Sequence, residues 1–121
     1  MNIPSLKKMI ISKFANMASL TGSNKIILVT HSGVIAGDLA VLPGDADIGS
    51  LNNEELIYKI VDVTTEDYRS KFFPEYKGPL PASDGCISLK NVRIIVGAKT
   101  ISLPFLTVFY DQIVGITFGH I

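Results

Sequence analysis

Hydrophobic and polar residues alternate along this chain at two different periods. Ile3, Leu6, Ile10, Phe14 and Met17 recur at spacings of three and four, which is one apolar stripe on a helix. The pattern predicts a helix over 3–20. Asn2 can cap its start, Pro4 sits in the first turn where a missing N–H costs nothing, and Gly22 stops it. Lys7, Lys8, Ser12, Asn16 and Ser19 fall toward the other face. The expected use of the stripe is packing on its own domain.

From Lys25 onward the pattern changes. Residues 25–30 are rich in β-branched side chains and read as a strand, His31-Ser32-Gly33 turns the chain, and 34–42 return as a second strand. Gly37 lies inside that strand, where a glycine marks a bend, a bulge or a close backbone approach. The end of the chain repeats the theme: strands are expected over 86–96, 100–110 and 113–119, joined at Gly97-Ala98-Lys99 and at Asp111-Gln112. Pro104 removes one ladder hydrogen bond and is tolerated only at a strand end, a bulge or an edge.

Between the two β blocks lies a long insert, 44–85. Asn52 followed by Glu55 looks like a helix start, with Leu56, Ile57, Ile60 and Val61 as its apolar face. Val61, Val63, Thr64 and Thr65 favour a strand, so a strand over 56–63 competes. Pro74, Gly78, Pro79, Pro81 and Gly85 exclude regular structure up to about residue 85. Phe72, Phe73 and Tyr76 are expected to pack the insert against the sheet, or to line a small-molecule pocket.

This order of elements resembles the Sm-like family over 3–42 and 86–119. The resemblance rests on Ile26-Ile27-Leu28-Val29, Gly33 and Val34-Ile35-Ala36-Gly37-Asp38-Leu39, then on Ile87-Ser88-Leu89-Lys90-Asn91-Val92 and on Val108 to Ile116 around Asp111-Gln112. It implies a single mainly β domain over 1–121: an N-terminal helix and a strongly bent five-stranded, SH3-like barrel. It also implies rings, in which the fourth strand of one subunit pairs with the fifth of the next. Phe105, Thr107, Phe109, Ile113, Gly115 and Thr117 would then form the oligomer interface. In the family an Asp and an Asn before the third strand and an Arg-Gly in the last hairpin grip RNA bases. Here Asp84 is the nearby acid, the Asn position falls near Cys86, and Tyr110-Asp111 replaces Arg-Gly. The RNA-binding set implied is Lys7, Lys8 and Lys13 on the helix, with Asp84 and Tyr110.

Charge sharpens this picture. The chain has 121 residues, formal net charge zero and only 18% charged residues, against the roughly 25% usual in globular domains. A charge-poor surface fits one that is partly covered by a partner or by other copies. Residues 1–37 hold four lysines and no acid, whereas 38–76 hold nine acids and three bases. An acidic insert near a pore opposes the phosphate attraction behind nucleic-acid affinity. Two functions are therefore expected from different classes: a ring that binds RNA, or an assembly module that binds a protein through the insert and has no nucleic-acid role.

No catalytic pattern stands out. His31 and His120 have no Cys or carboxylate at ligand spacing. Asp45-Ala46-Asp47 followed by Gly49 lacks the Glu that would close a calcium loop, since position 56 is Leu. Phosphate-binding glycine fingerprints and nucleophile elbows are absent. Neither enzyme activity nor a cofactor or metal is expected. The single Cys86 forms no internal disulfide and is expected to act as a small buried hydrophobe. The spaced N-terminal apolar residues are unlike a signal peptide, and no apolar run reaches the roughly 20 residues of a membrane span. These features make the cytoplasm the expected location.

Overall fold

The computed structural model describes residues 3–21, 24–40, 53–75, 80 and 84–120. Helix α1 is Leu6–Met17, followed by a 3-10 turn at Ala18–Thr21. The strands are β1 Lys25–Thr30, β2 Val34–Leu39, β3 Cys86–Val96, β4 Lys99–Phe109 and β5 Ile113–Gly119. Helix α2, Asn53–Phe72, stands between β2 and β3. The expected Asn2 cap, the Gly22 stop, the Asp45-Ala46-Asp47 loop, Asn52 and Tyr76 lie outside the described residues.

Three expectations about elements are corrected. The first helix starts at Leu6, because Ser5 caps it: the Ser5 Oγ accepts the Lys8 backbone N–H at 3.1 Å. Ile3 and Pro4 precede the cap. Strand β2 ends at Leu39; Ala40 still runs along β3, donating its N–H to the Ser88 carbonyl at 2.9 Å, and 41–42 lie outside the described residues. The insert, ambiguous between helix, strand and loop, carries a helix of 20 residues. Its β-branched run does not break it: the Thr65 hydroxyl donates to the Val61 carbonyl one turn back at 2.7 Å.

All strand pairs are antiparallel, in the order β4-β3-β2-β1-β5. Strands β4 and β5 are thus the two edges, although only the short turn Tyr110–Gln112 separates them in sequence. Five flat strands at a spacing of about 4.8 Å would put the edges about 19 Å apart. The four Cα steps from Phe109 to Ile113 reach at most about 14 Å. The sheet is therefore curled. It is not closed into a barrel, as the Sm-like expectation would have it.

The curl has a local cause at Gly37. A Cβ there would lie 3.0 Å from the Lys90 carbonyl and 3.2 Å from Leu89 Cβ, so glycine admits β3 at close range. Opposite it the register slips between Ala36 and Asp38, and Asn91 takes a left-handed φ of 52°. This is a β-bulge, which adds bend and twist. The Asp38 carboxylate ties the bend together, accepting from Lys25 Nζ at 2.9 Å and Asn91 Nδ2 at 3.1 Å. Burial pushes its pKa up, but Asn91, Lys25 and Lys90 together hold it below 3.8.

The core lies between the curled sheet and α1. Ile11, Ile26, Leu28, Leu89, Val92 and Ile113 are its most buried side chains. Helix α1 reaches it with Ile11 and Ala15, and the following turn with Ala18, not with the stripe expected from periodicity. Of that stripe only Phe14 packs inward, its ring 4.9 Å from Phe118. Ile3, Leu6, Ile10 and Met17 are exposed.

Candidate functional site

A cavity of about 360 Å³ lies where α1, α2 and the start of β3 meet. Lys8 and Ser12 enter it from α1, Tyr58 and Arg69 from α2, Cys86 from β3, and Tyr110 from the last turn. Lys8 is only 5% exposed. Its Nζ donates to the carbonyls of Leu80 at 2.6 Å and Asp84 at 2.5 Å, and lies 5.8 Å from the centre of the Tyr110 ring. The sequence pattern assigned Lys8 to the solvent face of the helix. The structure buries it because neutral backbone acceptors meet the ammonium there.

Tyr110 is held by backbone as well as by side chain. Its N–H donates to the Gly85 carbonyl at 3.1 Å. Gly85 has φ +118°, and a Cβ on it would come within 2.9 Å of the Tyr110 ring. Glycine is therefore required at 85 both for conformation and for space.

Lys8, Cys86, Tyr58 and Tyr110 are shifted in the cavity, with burial as the largest cause of each shift. Desolvation lowers the Lys8 pKa, Asp84 opposes this, and the Arg69 charge adds to it. The Cys86 thiol is pushed above 9.0, with Lys8 partly offsetting the burial. Tyr58 and Tyr110 are pushed above 10.0 by burial; Asp62 adds to the first shift and a Ser12 hydrogen bond moderates the second. The thiol is thus held protonated, the opposite of what a nucleophilic cysteine needs.

These shifts predict the alkaline limb of stability. The folded chain keeps protons on Cys86, Tyr58 and Tyr110 that the unfolded chain releases, so the Cys86 contribution is full below pH 9.0 and those of the tyrosines below pH 10.0, and each is lost as pH rises further. Lys8 has the opposite sign: its contribution improves as pH rises toward 10.5. Stability should therefore begin to fall near pH 9, where the thiol acts first. Urea melts of wild type and Cys86→Ala across that range check this; equal slopes in both would show that the thiol carries none of the fall.

The residues expected to touch RNA separate into groups. Lys8, Asp84 and Tyr110 meet at the cavity, Asp84 through its carbonyl. Lys7 points to β5 instead, its Nζ donating to the Ile113 carbonyl at 3.0 Å. Lys13 is exposed on α1 beside Met9 and Asn16. Phe72 and Phe73 cluster with Tyr68 rather than lining the cavity.

Tyr58, Asp62, Thr65 and Arg69 were not anticipated. Their spacings of four, three and four mark one helical face, a signal hidden by the β-formers from Val61 to Thr65. Of the apolar face expected for this helix, Leu56, Ile57 and Ile60 are exposed, and only Val61 turns inward. Among the described residues no three His, Cys, Asp or Glu side chains gather to hold a metal, and no helix is long and apolar enough to cross a membrane.

The residues expected at an oligomer interface lie on the two sheet edges, β4 and β5. Phe109 is 61% exposed and Thr117 is exposed. Ile113 is a core residue at 1% exposure, so only its backbone can serve the edge. Phe105 meets Tyr58 of α2 edge-on at 6.3 Å, and the Thr107 and Ser88 hydroxyls share a hydrogen bond at 3.0 Å. No family model, curated protein or solved structure matches the chain.

Proposed function

We propose that this chain is a self-assembling module of Sm-like architecture, acting in the cytoplasm, that closes into a homo-oligomeric ring through β4 of one copy and β5 of the next. The observation that carries the reading is the position of those strands at opposite edges of one curled sheet. Between them they hold a single charged residue, Lys99. Natural sheets protect open edges with charges, prolines or cover; β4 has Lys99, Pro104 and a contact of Phe105 with α2, and β5 holds neither a charge nor a proline. Pairing two different edges is a head-to-tail contact, which closes into a ring when the rotation between copies is right.

Assembly is favoured over RNA binding by what the lysines do. Lys8 and Lys7 spend their ammonium groups on carbonyls inside the fold, leaving Lys13 as the exposed member of the basic set. The exposed apolar residues on α1 and α2 add surface that a protein neighbour would cover.

Light scattering coupled to size exclusion tests the reading. The expected mass is a multiple of 13.1 kDa; a monomer alone at tens of micromolar would sink it. A labelled oligo-uridine titrated in a salt series separates the two functions. Assembly without measurable affinity is expected, whereas tight binding with a negative log–log salt slope would restore the RNA reading.

A further inference from the structure

Two helix faces of this chain are exposed and matched to each other. On α1 the line Leu6, Ile10, Lys13 and Met17 is exposed, and on α2 the line Leu56, Ile60, Val63 and Asp67. Both lines step by four, three and four residues, so each runs along one side of its helix. Each is apolar except for one charge, and the two charges are opposite. Neither Lys13 nor Asp67 makes an ion pair or a hydrogen bond among the described residues.

The two lines cannot meet within one chain. Helices α1 and α2 face each other across the cavity, with Lys8, Ser12 and Ala15 on one side and Tyr58, Asp62 and Arg69 on the other. The exposed lines lie on the sides of the helices turned away from it. The sheet edges place them beside different copies. Helix α1 lies against β5: Lys7 Nζ donates to the Ile113 carbonyl, and Leu6 and Ile10 share a groove with Val114 and Ile116. Helix α2 lies against β4, where Tyr58 meets Phe105. Joining β4 of one copy to β5 of the next therefore brings α2 of the first toward α1 of the second.

We propose that α2 of one copy packs its exposed line on that of α1 in the next copy, with Asp67 paired to the neighbour's Lys13. This rests on the ring reading and gives the insert a part in assembly. Four side chains on each helix make a small contact, which adds to strand pairing and does not replace it.

Charge reversal tests this, read as the midpoint concentration of assembly by light scattering over a dilution series. Lys13→Glu and Asp67→Lys should each raise the midpoint about fivefold. Both positions are exposed, so circular dichroism should show an unchanged fold. The double reversal should restore the wild-type midpoint. An equimolar mixture of the two single variants should assemble at a lower midpoint than either alone, because every contact between unlike copies joins opposite charges. The proposal is overturned by unchanged midpoints in both single variants, or by a double reversal no better than either one. A wild-type chain that stays monomeric at tens of micromolar removes the ring and this contact with it. A wild-type ring that ignores the reversals removes the contact alone.

Discussion

Replacing Leu28 with alanine should lower the free energy of unfolding by about 3–5 kcal/mol. Leu28 has no exposed surface and sits on β1, the strand that joins β2 to β5. It stands opposite Ile35 on one side and Ile116 on the other. A cavity there lies between a sheet and a helix that are both fixed by other contacts, so it can collapse only in part. Domains of this size have a total stability of about 5–15 kcal/mol, so the loss is a large share of it. The neighbour Val29 is 39% exposed and serves as the control, with an expected cost under about 1 kcal/mol for Val29→Ala. Urea melts with unchanged slope would check both. A loss under about 1 kcal/mol for Leu28→Ala would mean that β1 is not the centre of the core.

If the proposed ring forms, Phe109→Lys together with Thr117→Lys should convert it to a 13.1 kDa monomer. Both side chains are exposed in the single chain, so neither change disturbs the core. In a paired edge each lysine would face a neighbouring copy, where a charge added to β5, which has none, and to β4, which has only Lys99, opposes strand addition. At least a tenfold weakening per contact, about 1.4 kcal/mol, is expected. The readout is mass by light scattering, with far-ultraviolet circular dichroism showing that the fold persists. An unchanged multimer would move the interface elsewhere, to the exposed apolar faces of α1 or α2.

Strand positions were legible because the β-branched runs and the turn residues agree locally: Lys25 to Thr30, the Gly33 turn and Asp111-Gln112 all signal in one place. Gly37 announced a bend, and the close Lys90 carbonyl explains it. The inward faces of the two helices were not legible. Periodicity identifies an apolar stripe but not its direction, and apart from Phe14 and Val61 both stripes point outward in the single chain. The cavity was hidden for the same reason, since Lys8 and Arg69 are 61 positions apart and read singly as surface cations.

By itself, then, the sequence determined the kind and order of the elements outside the insert, because propensity, turn chemistry and period act over a few residues; in the insert it left helix and strand open. It also determined that the surface would be poor in charge. Only the tertiary structure decided that β5 returns to the side of β1, leaving β4 and β5 as edges. It alone decided that Lys8 is buried against the carbonyls of Leu80 and Asp84. Those outcomes depend on contacts between distant segments, where the space beside a small Ala15 or Gly85 outweighs the local preference of a lysine for water.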